Sequence, residues 1–272
     1  MQENIFYRLD PFLISLIYMG VLVATSEIGL WVKKGRSKDS QDTIEKSDIA
    51  LILGSVLTML ALLLAFTYSM AANRFETRRQ LVIEEANAIG TTYLRAKTLP
   101  EPRSSEIQAL LRQYAALRVE IGDKVGGDME TIREIRNRTT KVNDVLWSHA
   151  AAIARETQNP VISIFLQTLN EMIDLREKRW AAFNNRVPFS IYIVIVIFSI
   201  ITVWLVGYYF KSHGRREQMM TIMFALLVSL VMWLIMDLDQ PVRGAIRTSQ
   251  QSLIDLNQSL IQESNDAAKT PR

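Results

Sequence analysis

The sequence contains no cysteine and only two histidines, two of the side chains that enzymes use most for nucleophilic and metal chemistry. Without cysteine there is no disulfide, no thiolate nucleophile and no cysteine-ligated metal. His149 and His213 have no partner at a metal-ligand spacing, and no glycine-rich phosphate loop or nucleophile elbow occurs. The adjacent Glu84 and Glu85 would point about 100° apart on a helix, so they cannot act as a paired acid and base. We therefore expect no enzyme, no catalytic residue, no metal and no other cofactor.

The sequence also lacks a large excess of positive or negative charge. The chain has 31 Lys and Arg against 28 Asp and Glu, which gives a formal net charge of +3. Such a mixture provides no strongly basic surface, so we expect no nucleic-acid partner. Apolar residues, in contrast, make up 49% of the sequence and are gathered in blocks.

Four apolar blocks each approach the roughly 20 residues that a helix needs to cross the hydrocarbon core of a bilayer. They cover residues 11–32, 49–72, 188–210 and 218–237. The first block follows an acidic tail and has no small-residue cleavage site, so we do not expect a signal peptide. The sequence therefore predicts an all-α membrane protein with four transmembrane helices and the lipid bilayer as a partner.

The residues between the second and third blocks are polar and charged, yet their apolar positions keep a helical spacing. We expect transmembrane spans two and three to extend into an extramembrane helical bundle formed by this region. The predicted division is 1–72 for the first two transmembrane helices, 73–187 for the bundle and 188–238 for the third and fourth transmembrane helices. Residues 239–272 are predicted to form a juxtamembrane amphipathic segment and a polar tail.

The second span carries a stripe of small residues spaced by three or four positions. Its members are Gly54, Thr58, Ala61, Ala65, Ser69 and Ala72. A stripe of this kind lets another helix approach closely. The same stripe, repeated around a symmetry axis, would line a narrow pore. Helix packing is the commoner explanation, and the sequence leaves both open.

Beyond the membrane the same helix is predicted to carry two further stripes. The polar one consists of Asn73, Glu76, Gln80, Glu84, Asn87 and Thr91. The apolar one consists of Phe75, Val82, Ile89, Tyr93 and Ala96. A solvated face would also be polar, so the polar stripe alone does not indicate a site. Its continuity with the small residues is what favours a water-filled conduit along the helix.

The end of the fourth span is predicted as a possible ion or ion-pair site. Asp237 and Asp239 lie there, although a helix C-terminus disfavours anions. Helix termination with local hydrogen bonds is one explanation. Another is compensation by Arg243, Arg247 or Arg74, and a bound cation would serve equally well.

Two segments resemble the bestrophin-like domain family of bacterial membrane proteins. They are LTMLALLLAFTYSMAANRFETRRQLVIEEANAIGTTYLRA at 57–96 and DLDQPVRGAIRTSQQSL at 237–253. The hallmarks of that family fall on the small-residue span at 54–72, the EEANAIG segment at 84–90 and the DLD segment at 237–247. The resemblance covers most of the chain, from the second span to the last amphipathic segment.

The resemblance implies likeness to bestrophins, which are pentameric ligand-gated ion channels with four spans and long helices outside the membrane. The sequence has no dense acidic run of the kind that forms the calcium clasp of bestrophins, and no matching pore-neck motif. Together with the stripes, the resemblance leads us to expect a homo-oligomeric, cation-permeable channel whose second helix lines the pore. A pentamer is the stoichiometry that it implies, and inorganic ions are the expected ligands.

A non-conducting membrane scaffold or sensor is the alternative function. In that case the helical bundle would bind a protein partner and the small-residue stripe would only pack helices. Mutation of the stripe separates the two functions, because a bulky side chain blocks a pore but disrupts a packed interface.

The resemblance places the chain in a bacterial plasma (inner) membrane. Four spans put both termini and the bundle on one side. The short loops are rich in lysine and arginine, which favours cytoplasmic loops and an extracytoplasmic bundle. Arginines near the opposite ends of the spans, such as Arg74 and Arg186, weaken that preference.

Overall fold

The computed structural model describes residues 10–34, 42–124, 129–156, 159–209, 215–241 and 244–269. Within these ranges nearly every residue is helical and no strand occurs, which confirms the all-α prediction. The helices are α1 (Pro11–Lys34), α2 (Asp42–Ala96), α3 (Arg103–Lys124), α4 (Met129–Glu156), α5 (Pro160–Asn184), α6 (Phe189–Tyr209), α7 (Arg215–Asp239) and α8 (Gln251–Lys269).

Four stretches are long and apolar enough to cross a membrane, as predicted. They are Pro11–Gly29, Ala50–Ala96, Pro160–Tyr208 and Met219–Asp239. At 1.5 Å per residue the 55 residues of α2 measure roughly 80 Å, far more than the roughly 30 Å of hydrocarbon in a bilayer. α2 is therefore long enough to continue well outside the membrane.

The stretch that contains the third span is not one continuous helix. α5 ends at Asn184 and α6 begins at Phe189, so residues 185–188 are not helical. Pro188 explains the break, because proline removes a backbone donor and disfavours helical geometry in the residue before it.

The chain divides into two compact units. The membrane unit comprises Met1–Arg74 with Arg186–Ile246, and the bundle unit comprises Phe75–Asn185 with Arg247–Arg272. The membrane unit thus contains α1, α6, α7 and the first part of α2. The bundle unit contains α3, α4, α5, α8 and the rest of α2.

Inside the membrane unit, α1 and α6 pack backbone to backbone. A Cβ atom added to Gly29 would lie 2.6 Å from the carbonyl oxygen of Trp204. One added to Gly207 would overlap the carbonyl oxygen of Ser26 and lie 3.1 Å from its carbonyl carbon. Glycine at both positions therefore permits a contact that any side chain would prevent, as is common between membrane helices.

The bundle unit has a core to which every one of its helices contributes. The largest buried side chains in this core include Ile89, Tyr93, Leu111, Tyr114, Leu146, Phe165, Leu169 and Leu253. Four of the five residues of the predicted apolar stripe on α2 are buried in it, from Val82 to Ala96. α8 joins the same core through Leu253 and Leu260, which lie seven residues apart on one face.

Candidate functional site

The small-residue stripe of α2 does not pack against its own chain. Five of its six members are exposed, namely Gly54, Thr58, Ala61, Ala65 and Ser69, and the sixth, Ala72, is partly buried. α2 buries a different face in the membrane unit, formed by Leu53, Leu60, Leu64, Thr67 and Ala71. A Cβ atom added to Gly54 would have no atom within 4 Å. Close packing within one chain therefore does not account for the small stripe.

The exposed surface of α2 has a second, bulky line. Ile52, Met59 and Phe66 repeat every seven residues, and each exposes more than half of its side chain. At about 100° per residue this line lies well away from the small stripe around the helix. A bulky apolar line is typical of contact with lipid, whereas a small-residue line is typical of contact with a neighbouring helix or of a pore wall.

Thr58 gives the small stripe a chemical preference. Its hydroxyl donates a hydrogen bond of 2.8 Å to the carbonyl oxygen of Gly54, one turn back on the same helix. A threonine hydroxyl has one proton and two lone pairs. Because the proton is used within the helix, the hydroxyl offers only lone pairs to a solute beside the helix, and these attract cations.

In the polar stripe, Glu76 is already paired. Arg79 donates to its carboxylate at 3.0 and 3.1 Å, and Gln80 donates at 3.2 Å. Both ends of the Glu76–Arg79 pair are exposed to solvent. The carboxylate of Glu76 therefore contributes less net negative charge to this surface than the sequence alone suggests.

Further along α2 the polar stripe forms one wall of an open groove within the bundle unit. The groove has a volume of about 710 Å³, and Glu84, Asn87 and Thr91 line it from α2. α5 supplies the opposite wall through Gln167, Asn170, Glu171, Asp174 and Lys178. The sequence prediction missed this second wall. The sequence does mark the α5 wall with the same kind of pattern as the α2 wall, a run of polar residues spaced by one, three or four positions.

Glu85, the neighbour of Glu84, belongs to a different environment. Its side chain is fully buried and its carboxylate accepts hydrogen bonds from Tyr114 and Arg118, both at 3.2 Å, and another from Arg179. Nε of Arg118 also lies 2.7 Å from Oε1 of Glu85. Arg179 donates in turn to Oε1 of Gln250 at 3.0 Å. The two adjacent glutamates thus point in different directions, as the helical geometry predicts.

Burial and the negative charge of Glu85 together shift the pKa values of the groups around this carboxylate. Burial disfavours the charge of Arg118, but the Glu85 carboxylate outweighs this effect and raises the pKa of Arg118 above its ordinary value. Burial, helped by the negative charge of Glu85, also raises the pKa of the Tyr114 hydroxyl. Arg118 therefore stays charged and Tyr114 stays protonated throughout the physiological pH range.

At the end of α7, Asp237 binds the backbone of residues that follow the helix. Its two carboxylate oxygens accept hydrogen bonds from the backbone N–H groups of Ala245 at 2.9 Å and Ile246 at 2.8 Å. Gly244 has φ +143°, and a Cβ atom there would overlap the Asp237 carboxylate. Of the explanations that the sequence left open for Asp237, these contacts match local hydrogen bonds at the helix end, with backbone amides as the partners.

Asp239 lies in the same unit and is 1% exposed. Its carboxylate accepts from the backbone N–H of Val187 at 2.9 Å and from the Tyr192 hydroxyl at 3.4 Å, and Nη1 of Arg74 lies 3.9 Å away. Arg247 belongs to the bundle unit and is exposed, while Arg243 lies outside the described residues. Within the described ranges no cluster of three or more His, Asp or Glu side chains has the arrangement of a metal site.

A sequence model of the bestrophin-like domain matches residues 20–253 of the 272-residue chain. The chain belongs to the bestrophin-like domain family. This confirms the resemblance found in the two sequence segments. The match spans the small-residue stripe, the polar stripe, α3, α4, α5, and both Asp237 and Gly244.

Crystal structures of a bacterial bestrophin homolog from Klebsiella pneumoniae have the same fold as this bestrophin-like chain. One aligns with a TM-score of 0.67 at 12% identity and covers 92% of this chain and 98% of the homolog. A single-residue variant of that homolog aligns with a TM-score of 0.69 at 12% identity, with coverages of 93% and 98%. No curated protein matches the sequence.

Proposed function

We propose that the chain is one subunit of a homo-oligomeric ion channel and that α2 lines its pore. One observation carries the proposal. The small-residue stripe of the membrane unit is exposed although α2 buries another of its faces, and a bulky line well away from the stripe is available to contact lipid. A second copy or a pore would account for the exposed small stripe. Membership of a family named for bestrophins, which are ion channels, supports the choice of a pore.

In the proposed channel the small residues form the narrow part of the pore and the polar residues form a vestibule. The narrow part is lined by Gly54, Thr58, Ala61, Ala65 and Ser69. The vestibule is lined by Asn73, Glu76, Gln80, Glu84 and Asn87. Small side chains leave room for a partly hydrated ion, and amides and carboxylates replace some of its water on entry.

Cations are the proposed permeant ions. Thr58 offers lone pairs, and the groove of the bundle unit carries three carboxylates, Glu84, Glu171 and Asp174, against the cations Arg95 and Lys178. The groove therefore has a small excess of negative charge, which raises the local concentration of cations.

We place the channel in the inner membrane of a bacterium, with both termini and the bundle unit on the extracytoplasmic side. The lysines and arginines of the short loops support this orientation. A pentamer is the stoichiometry we propose, on the family resemblance alone.

Asp237 and Asp239 are proposed to stabilise the end of the fourth span and not to bind a permeant ion. Asp237 is occupied by two backbone amides. Asp239 is occupied by an amide and a hydroxyl, with Arg74 as its nearby counter-charge.

Reconstitution of the purified protein into liposomes tests the proposed function. We expect flux of K⁺ and Na⁺ above that of empty liposomes, measured under several membrane potentials, pH values and calcium concentrations. Absence of flux under all of these conditions from a correctly assembled oligomer would refute the proposal and favour a scaffold.

The substitution Glu84→Gln tests the vestibule. It removes one carboxylate per subunit from an exposed position, so the fold should be unaffected. We expect the permeability ratio of K⁺ to Cl⁻ to fall by roughly fivefold, because a unit charge 4 Å away in water is worth about 1 kcal/mol. Reversal potentials in asymmetric KCl measure this ratio.

The matched control for Glu84 is Glu134→Gln, an equally exposed carboxylate on α4. It should leave the reversal potential unchanged. Equal shifts for both variants would indicate a general surface-charge effect and would remove Glu84 from the vestibule.

The substitution Ala65→Leu tests the narrow part of the pore. Ala65 is exposed within its own chain, so leucine fits without disturbing the subunit. We expect an intact oligomer whose flux falls by at least about tenfold, since a ring of leucines excludes water and ions. Size-exclusion chromatography with light scattering and liposome flux measure the two properties.

Ser55→Leu is the control, because Ser55 is also small and exposed but lies about 100° away from Gly54 on α2. It should conduct like the wild type. If Ala65→Leu instead breaks the oligomer into monomers, the stripe is a packing surface and the scaffold function gains support.

A further inference from the structure

A second cavity in the bundle unit brings together four arginines and an apolar wall. It has a volume of about 70 Å³ and lies among α3, α4 and α5. Arg118, Arg136, Arg176 and Arg179 line it together with a single carboxylate, Glu177. The apolar part of the wall includes the stacked rings of Trp180 and Phe183, whose centroids are 5.7 Å apart.

The four guanidinium groups form two Arg–Glu–Arg clusters. In the first, Arg118 and Arg179 both contact the buried carboxylate of Glu85. In the second, Arg176 donates to Glu177 at 2.7 and 3.1 Å and Nη2 of Arg136 lies 3.6 Å from it. Each cluster has one more positive charge than negative charges, so the two clusters together carry an excess of two.

Three of these cations are largely removed from solvent. The side chains of Arg118, Arg176 and Arg179 expose 7%, 13% and 13% of their area. A buried charge is costly unless it is paired, and the excess charge here has no carboxylate of its own within the two clusters. Arg136 lies over the ring of Trp180, 4.5 Å from its centroid, which offsets part of its charge.

The guanidinium groups also have hydrogen-bond donors to spare. A guanidinium has five N–H donors. Arg118 and Arg179 each direct two nitrogens at Glu85 or Gln250, and Arg176 uses three at Glu177 and Thr140. Each guanidinium therefore keeps donors beyond these, and planar guanidinium groups suit phosphate and carboxylate oxygens in particular.

We propose that this cavity binds a small oxyanion, a phosphate or a carboxylate, that neutralises the excess charge of the two clusters. The volume of about 70 Å³ corresponds to roughly five water-sized groups, which is the size of inorganic phosphate. The ligand would join α3, α4 and α5 electrostatically, since Arg118 belongs to α3, Arg136 to α4, and Arg176 and Arg179 to α5. This site is separate from the proposed pore, and its existence does not depend on ion conduction.

The test is titration of the purified full-length oligomer with inorganic phosphate and, separately, with acetate, at constant ionic strength in chloride buffer. The fluorescence of Trp180 reports binding, because this residue lines the cavity. The variant Trp180→Phe shows how much of the fluorescence of the five tryptophans comes from Trp180. We expect saturable binding of one anion per chain and a higher thermal unfolding midpoint with phosphate or acetate than with chloride. Preference for phosphate or for acetate assigns the class of oxyanion.

Arg136→Gln is the informative variant, because the side chain of Arg136 is 40% exposed and its loss should not prevent folding. We expect affinity for the anion to fall by at least about tenfold, in line with a lost hydrogen bond to a charged group. Arg138→Gln is the control, since Arg138 pairs with Glu120 on the exposed surface and does not line the cavity. Its affinity should equal that of the wild type.

Three results would overturn the proposal. They are the absence of saturable binding by either anion, equal weakening by Arg136→Gln and Arg138→Gln, and a structure of the oligomer in which a carboxylate of a neighbouring subunit fills the cavity. A channel that conducts normally but binds no anion would refute this site and leave the proposed function intact.

Discussion

Replacement of Glu85 by glutamine is expected to lower the stability of the protein by about 3 to 5 kcal/mol, the usual cost of removing one partner from a buried ion pair. Glu85 is fully buried and is the shared partner of Arg118 and Arg179. Its loss leaves two guanidinium groups without their carboxylate. For a chain of this size the change corresponds to a fall of about 10 °C in the midpoint of thermal unfolding, measured by circular dichroism in detergent.

The adjacent Glu84 provides the matched control. Glu84→Gln changes the same residue type at a neighbouring position, but on an exposed face, so stability should change by less than about 0.5 kcal/mol. The double variant Glu85→Met with Arg118→Met should recover part of the stability lost in Glu85→Met, because it removes both members of the pair. Wild-type stability of Glu85→Gln would contradict this account of the buried cluster.

Replacement of Gly207 by alanine is expected to destabilise the membrane unit by about 3 kcal/mol, at the upper end of the usual cost of overpacking. The added methyl group would overlap the carbonyl oxygen of Ser26. Because the obstructing atoms are backbone, no change of rotamer relieves the overlap and α1 must move away from α6. Thermal unfolding of the purified variant in detergent measures the loss.

Gly20→Ala is the control for Gly207→Ala. Gly20 also lies on a membrane helix, yet a Cβ atom there would have nothing within 4 Å. We expect no loss of stability, and a gain of up to about 1 kcal/mol from the better helix propensity of alanine. If the two alanine variants behave alike, the contact between α1 and α6 is not as close as described.

The spacing of residues in the sequence was sufficient to predict the helical fold and the apolar face of α2. Apolar blocks identified the four membrane-crossing stretches, and the apolar stripe from Val82 to Ala96 predicted a face that is buried in the bundle. These features depend on residues a few positions apart on one helix, where geometry is fixed by the helix itself.

Contacts between distant parts of the chain could not be predicted in this way. Glu85 meets Arg118 and Arg179 across 33 and 94 positions, and no local pattern marks any of the three as buried. Asp237 was predicted to need compensation, because an acid at a helix C-terminus is unfavourable. Its partners are backbone amides, and these carry no sequence signal. Pairing across helices depends on how the helices pack, which a single sequence does not specify.

The intervals along the small stripe of α2 bear on the twist of an assembled pore. Gly54 and Ala61 are seven residues apart, as are Thr58 and Ala65, whereas Gly54 and Ala65 are eleven apart, as are Thr58 and Ser69. A seven-residue repeat favours a left-handed and an eleven-residue repeat a right-handed arrangement of helices around an axis, so the mixture favours helices that are nearly straight. The bulky line has only seven-residue intervals and would favour a left-handed supercoil. The helices that line a channel through the small stripe should thus be nearly straight. They could then tilt outward at one end without unwinding a left-handed supercoil.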